Sequence, residues 1–340
     1  MPRVSEQIAC KKPKVSVSMI TYNHEKYIAQ AIESVLMQEA GFPVELVIGE
    51  DCSTDGTRQI VKAYAEKYPN VIRALLPERN LGASQNSITV FAACRGEYIA
   101  CLEGDDYWAD PRKLHKQVAV MELNPHYSMC ATAARDLAVL PDGKEQEAGI
   151  FPPGNTKGLF HLEDVVAGYP FRALTYLLRN GLVRLPGWFQ QASYGDMCLL
   201  VLYAEKGPIV FLNDVTATYR KHGGGIWSGG SVSDKCEKNR RTLDLLNAHL
   251  AGRYARQLRA RDFCNVRLLI LDAADNGLRA EARQCYWGSF RRFAPHLPLA
   301  YLSLGASLYE NKYVLAWRRL KKRIAIRSRA RALLGTCKRS

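Results

Sequence analysis

The sequence predicts an α/β fold in which a sheet is flanked by helices, followed by a helical C-terminal region. Between residues 14 and 102, short runs rich in β-branched residues alternate with amphipathic segments, as in βαβ units. Beyond Ser233 the hydrophobic periodicity is helical almost to the end of the chain. With 340 residues, of which 47% are hydrophobic, the chain can bury a large core, and a mainly disordered protein is excluded.

Four strands and three helices are predicted in the first hundred residues. The strands are residues 15–20, 44–49, 71–76 and 98–102. The helices between them are residues 25–38, 57–67 and 83–94. Right-handed crossovers would place these strands in one sheet with helices on both faces.

The alternation of strands and helices ends near residues 152–155, where Pro152, Pro153 and Gly154 interrupt it. A mixed segment continues to about Gly230. Four helices are predicted after it, at residues 234–256, 257–275, 277–293 and 297–310. The predicted organisation is an N-terminal extension (1–13), an α/β domain (14–232), a helical region (233–310) and a basic tail (311–340).

The net charge of +14 is concentrated at the C-terminus. Eleven basic and no acidic residues follow Glu310, so the rest of the chain carries only +3. Apolar residues such as Trp317, Leu320 and Ile324 alternate with these bases, which favours a cationic amphipathic helix bound to an anionic membrane surface. A solvated tail and a nucleic-acid-binding tail are the alternatives, but no basic stripe accompanies the predicted crevice, and we expect no nucleic-acid partner.

The sequence predicts a cytoplasmic protein that associates peripherally with the inner face of the membrane. The longest apolar run, residues 198–204, is far shorter than the ~20 residues of a membrane-spanning helix. Residues 1–14 lack the apolar stretch of a secretory signal. The ten cysteines are scattered without metal-ligand spacing, so reduced thiols are expected rather than disulfides or metal ligands.

Three polar clusters follow three of the predicted strands. They are residues 21–24 (TYNH), 50–53 (EDCS) and 103–106 (EGDD). In open α/β sheets, ligands bind beyond the carboxyl ends of the strands, so these clusters are expected to line one crevice.

The chemistry of this crevice is predicted from its carboxylates. The chain has neither GxGxxG after the first strand nor a GxxxxGK[ST] motif, which argues against the two common glycine-rich phosphate sites. Instead Glu103, Asp105 and Asp106 lie within four residues, and a divalent cation bridging to phosphates would offset their mutual repulsion. The alternative interpretation is a solvated acidic turn.

Six motifs in order resemble glycosyltransferase family 2 over residues 14 to 228. They are 15–23 (VSVSMITYN), 50–57 (EDCSTDGT), 80–82 (NLG) with Asn86, 96–106 (GEYIACLEGDD), 195–196 (GD) and 219–228 (YRKHGGGIWS). The resemblance implies the GT-A fold, with a mixed sheet, a nucleotide-sugar half (14–110) and an acceptor half (111–232). It also implies an inverting sugar transfer to a hydroxyl of a saccharide or lipid-linked acceptor, as in bacterial surface polysaccharide synthesis.

The resemblance implies a role for each matching residue. A nucleotide-sugar, with UDP the commonest carrier, would be bound by Thr21, Tyr22, Asn23, Asp51, Ser53, Glu103 and Asp106. Tyr22 would stack on the base and Asp51 would accept a hydrogen bond from it. Glu103 stands where the family commonly has Asp, so it would reach the ribose or bind the cation through water.

The remaining implied roles concern the cation, the diphosphate and the acceptor. Asp105 and His222 would bind Mg²⁺ or Mn²⁺, and His222 and Arg220 would contact the diphosphate when the loop closes. Asp196 would be the general base, although an acid at the start of a helix is also explained by capping. A nucleotidyltransferase acting on a sugar phosphate, or a basic nucleic-acid-binding protein, is the alternative function, and the sequence leaves the oligomeric state open.

Overall fold

The computed structural model of the chain describes residues 3–6, 12–140, 142–154, 156–168, 170–223, 231–275 and 277–293. The predicted helix 297–310 and the basic tail 311–340 lie outside the described residues. So do residues 224–228 of the predicted closing loop and most of the N-terminal extension 1–13.

The first half of the sheet consists of parallel strands in the order β3-β2-β1-β4. The strands are β1 (Val15–Thr21), β2 (Val44–Glu50), β3 (Ile72–Leu75) and β4 (Tyr98–Glu103). The helices between them are α1 (Ile28–Leu36), α2 (Thr57–Lys67) and α3 (Ala83–Ala93). Helix α1 begins later than predicted because a separate turn precedes it, in which the N–H groups of Tyr27 and Ile28 both donate to the carbonyl of His24.

The second half adds antiparallel pairings, so the sheet is mixed, as predicted. The strands are β5 (Tyr107–Trp108), β6 (Met129–Val139), β7 (Glu145–Phe151), β8 (Leu159–Phe160), β9 (Leu177–Arg179) and β10 (Ile209–Lys221). The helices are α4 (Lys113–Leu123), α5 (Leu162–Ala167) and α6 (Gly195–Ala204). Strand β9 lies antiparallel between β4 and β6, and the order continues β4-β9-β6-β10-β5.

Both faces of the sheet are covered by apolar side chains. Successive residues of β2 belong to different hydrophobic clusters, because side chains of a strand alternate between the two faces. Leu46 and Ile48 share a cluster with Ile32 of α1. Val47 shares the other cluster with Val90 of α3. This confirms the prediction that helices lie on both faces.

The predicted helical region consists of α7 (Val232–His249), α8 (Ala255–Asp275) and α9 (Arg279–Phe293). Helix α7 ends earlier than predicted because Ala251 and Gly252 adopt left-handed backbone conformations, and the Gly252 N–H closes the end by donating to the Asn247 carbonyl. Within the described ranges, none of the helices is both long and apolar enough to span a membrane.

The chain divides into two compact units. One extends to Gly229 and includes Lys238–Arg261, and the other contains Gly230–Glu237 and the residues from Asp262 onward, as far as they are described. The first contains the whole sheet. The second has its own hydrophobic cluster, which includes Val266, Ile270 and Tyr286.

A lysine is buried in the first unit. Lys113 is 0% exposed, donates to Gln117 Oε1 at 2.7 Å, and has its Nζ 4.4 Å from the centroid of the Trp108 ring. Among the described residues, no carboxylate forms an ion pair with it. Burial lowers the pKa of Lys113 to about 7, so the ammonium is easily neutralised in the folded protein.

We expect Lys113 to make stability rise with pH above 7. Between the folded pKa of about 7 and the unfolded value of 10.5, the unfolded chain holds the additional proton. The free energy of unfolding should therefore increase by about 2–3 kcal/mol between pH 7 and 9 from this residue. Urea unfolding of the wild type and Lys113→Met at both pH values measures the difference.

The control is Lys116→Met in the same helix. Salt bridges to Asp214 and Asp110 raise the pKa of Lys116, so its charge does not change in that interval. A wild-type protein whose pH dependence equals that of Lys113→Met would contradict the prediction.

Candidate active site

The polar clusters that follow β1, β2 and β4 lie together at one edge of the sheet. The register pairs Thr21 with Glu50 and Ile20 with Glu103, so the three strands end at the same level. Thr21 is buried, whereas the ring of Tyr22 is 42% exposed and available for stacking. The structure thus places the three polar clusters at one edge of the sheet, beyond the carboxyl ends of the strands.

Asn23 and Ser53 join the loops after β1 and β2. The Asn23 N–H donates to Ser53 Oγ at 2.9 Å, and Asn23 Oδ1 accepts from the Thr54 N–H at 2.9 Å. Asn23 adopts a φ of 56°, a left-handed conformation that asparagine tolerates well. These bonds give both residues a loop-joining role, and their nucleotide contacts stay predictions.

Asp51 connects the loop after β2 with the loop after β3. Its carboxylate accepts from the N–H groups of Leu81, at 2.7 Å, and Gly82, at 2.9 Å. The amide of Asn80 donates to the Asp51 carbonyl at 2.9 Å. A carboxylate has about four acceptor positions, so these two bonds leave capacity for the N–H of a base.

The three acids of the EGDD motif form one cluster. Glu103, Asp105 and Asp106 each offer a carboxylate oxygen within 4.8 Å of the others. Burial raises the pKa of Glu103 to about 8, reinforced by the charges of Asp105 and Asp196. Burial, with the charges of Asp105 and Glu103, also raises the pKa of Asp106 well above its usual value. A bound cation would offset the repulsion between these carboxylates in their ionised forms.

The donor set fits a hard divalent cation. Asp106 is fully buried and its Oδ1 accepts from the Arg220 N–H at 2.7 Å. Its buried Oδ2 has no hydrogen-bond partner among the described residues. A buried carboxylate oxygen without a hydrogen-bond partner lowers the stability of the folded protein. Clustered carboxylate oxygens are the ligands that Mg²⁺ and Mn²⁺ prefer.

Two histidines lie against Asp105. The Nε2 atoms of His222 and His24 are 3.0 and 3.6 Å from Asp105 Oδ2. Burial alone would raise the pKa of Asp105, but the hydrogen bond to His222 and the charge of His24 outweigh it and lower the pKa. Asp105 is therefore the acid of the cluster that is most readily ionised.

His24 is a site residue that the sequence analysis did not select. Its Nδ1 is 3.2 Å from Thr21 Oγ1, which orients the ring toward Asp105. Burial is the main cause that lowers the pKa of His24, and the charge of Asp105 opposes it. The only available sequence signal was its place in the TYNH cluster.

Gly104 allows the acidic loop to approach β1. A Cβ atom at this position would lie 2.5 Å from Thr21 Oγ1 and 3.1 Å from His24 Nδ1. Its N–H donates to the Ile20 carbonyl at 2.9 Å. The glycine in the EGDD motif is therefore required by the close packing of two loops.

The Arg220 side chain contacts three hydrogen-bond acceptors and two aromatic rings. Its guanidinium donates to Glu145 Oε1 and to the Asp105 carbonyl, both at 2.9 Å, and also to Gln30 Oε1. It also lies between two aromatic rings, 5.1 Å from the centroid of Tyr27 and 4.5 Å from that of Tyr107. Arg220 thus holds the acidic loop in place, and its predicted contact with a diphosphate stays a prediction.

We expect Arg220→Met to destabilise the protein by about 1–3 kcal/mol, because its side chain, which is 3% exposed, links the Asp105 carbonyl to Glu145 and Gln30, and all three lose their donor. Urea unfolding measures the change. The control is Arg135→Met on β6, whose side chain is 47% exposed, so the change should stay within about 0.5 kcal/mol. Equal stability of the two variants would contradict the structural role of Arg220.

Asp196 lies in the first turn of α6, the apolar helix that the sequence predicts to begin there. It is half-buried, and its Oδ1 accepts from the Met197 N–H at 2.9 Å. Its charge contributes to the raised pKa of Glu103, so the two carboxylates are close enough to interact. The hydrogen bond from the Met197 N–H orients this carboxylate in the first turn of the helix.

Comparisons with known proteins agree with this architecture. Residues 16–179 match the family model "Glycosyl transferase family 2". The uncharacterized protein Rv1520 of Mycobacterium tuberculosis is 35% identical over 222 residues, which cover 63% of this chain and 60% of that protein. EpsE of Bacillus subtilis, named as a glycosyltransferase, is 37% identical over 174 residues, which cover 51% of this chain and 58% of EpsE. The chain thus spans about three-fifths of the length of these relatives.

A solved structure shows the same fold. The mannosyltransferase PcManGT of Pyrobaculum calidifontis matches with a TM-score of 0.54 and 15% identity, covering 93% of this chain and 86% of that chain. This confirms the predicted fold, a mixed sheet flanked by helices. Given the family match together with this fold and the positions of the EGDD and TYNH clusters, residues 16–179 belong to glycosyltransferase family 2.

Proposed function

We propose that the protein transfers a sugar from a nucleotide-diphospho-sugar to a hydroxyl group of an acceptor. The observation that carries this proposal is the acidic cluster at the edge where β1, β2 and β4 end, with a histidine on Asp105 and a buried Asp106 oxygen without a described partner. The structurally similar PcManGT was solved with GDP-mannose and Mn²⁺, which supports a donor of the same class.

The nucleotide would occupy the edge of the crevice formed by the loops after β1 and β2. The exposed ring of Tyr22 offers a stacking face for the base, and Asp51 retains acceptor capacity for a base N–H. Thr21, Asn23 and Ser53 hold these loops in position. Glu103 would bind the ribose or the cation through water, and Asp106 the sugar or the cation. UDP is the carrier that we propose.

Asp105 and His222 would hold a Mg²⁺ or Mn²⁺ ion in this site. When bound, the cation supplies positive charge against the diphosphate, which makes it a better leaving group. Arg220 keeps the loop of Asp105 in place through the Asp105 carbonyl, and residues 219–223 carry His222 to the carboxylate.

Asp196 would act as the general base. It removes the proton from the acceptor hydroxyl as the hydroxyl oxygen bonds to the anomeric carbon and the bond from that carbon to the diphosphate breaks. Attack from the face opposite the leaving group in a single displacement inverts the anomeric configuration. Its fixed place at the start of α6 supports this role, since a base must be ionised and positioned to accept the proton.

For the acceptor, we propose a saccharide or a lipid-linked saccharide of a bacterial surface polysaccharide. The basic segment 311–340 would hold the enzyme at an anionic membrane where such acceptors reside. Flotation with anionic liposomes, comparing the full chain with a chain ending at Glu310, tests this attachment. Equal partitioning of the two would disprove it.

The experiment that tests the function is a product assay with a panel of nucleotide-sugars in Mg²⁺ or Mn²⁺. The proposal predicts release of a nucleoside diphosphate that requires the cation, and a glycosylated product by mass spectrometry. Release of pyrophosphate from a nucleoside triphosphate and a sugar phosphate would instead show a nucleotidyltransferase.

A further inference from the structure

The second compact unit contains a pair of cysteines that the proposed reaction does not use. Cys236 lies on α7 and Cys285 on α9. They are 49 positions apart in the sequence, yet their Sγ atoms are separated by 2.7 Å. Cys285 is 5% exposed and belongs to the hydrophobic cluster of this unit with Val266 and Ile270, and Cys236 packs against that cluster.

The sulfur separation is too short for ordinary packing. Carbon atoms in contact lie about 3.5–4.0 Å apart, and sulfur is the larger atom. A disulfide joins its sulfurs at about 2.0 Å. The two sulfur atoms are therefore already close to bonding distance.

The two thiols have different reactivity. A hydrogen bond from Cys236 lowers the pKa of Cys285, a second bond from Ser289 adds to the effect, and burial opposes both. The same interaction raises the pKa of Cys236. Since the thiolate is the nucleophilic form, Cys285 is the thiol that reacts first.

We propose that Cys236 and Cys285 form a disulfide bond in the presence of a hydroperoxide. The Cys285 thiolate attacks one oxygen of hydrogen peroxide, the O–O bond breaks, and a sulfenic acid forms as one water leaves. The Cys236 sulfur then loses its proton and attacks the sulfenic sulfur, whose hydroxyl group leaves as a second water. The two thiols together lose two electrons, and one hydrogen peroxide molecule gains them and becomes two water molecules.

The bond would link α7 to α9, the first and last C-terminal helices in the described part of the chain. It closes a loop that contains the whole of α8, and such a cross-link restricts the unfolded chain. In a reducing compartment a disulfide of this kind is transient and responds to oxidants. The proposal is independent of sugar transfer, and either can fail without the other.

Peptide mapping of the full-length protein tests the proposal. The reduced protein is treated with a stoichiometric amount of hydrogen peroxide. It is then unfolded in the presence of N-ethylmaleimide, which blocks the remaining free thiols, and digested with trypsin in the absence of reductant. The expected product is peptide 236–238 joined to peptide 284–291, which dithiothreitol separates. Cys264→Ser is the matched control, because Cys264 is an exposed cysteine on α8, and this variant should give the same linked peptide.

Each outcome decides the proposal. Cys236→Ser should abolish the linked peptide and leave Cys285 as a sulfenic acid, which dimedone labels. If both wild-type peptides carry the maleimide after peroxide treatment, the proposal is overturned. A link from either residue to Cys264, rather than to its partner, would also overturn it. The wild-type result suffices even where a variant folds poorly.

Discussion

Replacing Asp196 by asparagine is expected to lower kcat for sugar transfer by about 10²–10⁴-fold, the usual contribution of a general base. Asparagine has nearly the same shape, and losing one negative charge in the first turn of α6 costs only about 0.3–1 kcal/mol. The helix therefore stays in place while the proton acceptor is lost. Donor binding, measured by titration calorimetry, should change little, because the base interacts with the acceptor and not with the nucleotide.

The matched control for Asp196 is Asp164→Asn, which changes an acid in the first turn of α5 in the same unit. This variant should keep full activity, because Asp164 pairs with Lys157 outside the crevice. Similar losses in both variants would show that helix stability, and not proton transfer, explains the effect at Asp196. An unchanged kcat in Asp196→Asn would remove the residue from the mechanism.

Replacing Asp105 by asparagine is expected to weaken Mn²⁺ binding by at least about 100-fold. The loss of a residue that only forms a hydrogen bond to a metal ligand already lowers metal affinity by about 10–100-fold. Asp105 is the acid that the neighbouring His222 and His24 keep ionised, so it provides the principal negative charge. Nucleotide-sugar affinity should fall with it and become independent of the cation. Electron paramagnetic resonance of Mn²⁺ and calorimetry measure the two affinities separately.

Asp110→Asn is the matched control for Asp105. Asp110 lies five residues further along, in a salt bridge to Lys116 outside the acidic cluster. Its variant should bind the cation as the wild type does. If Asp105→Asn retained wild-type Mn²⁺ affinity and cation-dependent donor binding, Asp105 would not be the ligand.

The local parts of this fold are predictable from the sequence because they depend on local periodicity. β1, β2 and β4 lie within a residue or two of their predicted bounds, and the polar residues that follow them are adjacent in sequence to the strands that place them. The EGDD motif indicated a carboxylate cluster for the same reason. The later start of α1 is also a local effect, since it arises from a single turn at His24.

Contacts between residues far apart in the sequence could not be predicted from it. Arg220 was predicted to reach a diphosphate, yet its guanidinium partners are Gln30, 190 positions earlier, and Glu145 on the exposed strand β7. The proximity of Cys236 to Cys285 likewise depends on how two helices pack. Such pairs carry no periodic signal, since long-range packing alone brings them together.

We propose that Asp105 and His222 bind the cation that holds a nucleotide-sugar beside the acidic cluster. A crystal structure with Mn²⁺ and a nucleotide-sugar, with anomalous scattering collected to locate the manganese, tests this proposal. We expect an anomalous peak at ligand distance, about 2.0–2.3 Å, from Asp105 and His222, with the diphosphate beside it and the base over Tyr22. A manganese peak and a nucleotide found elsewhere, with these two residues contacting only each other, would contradict it.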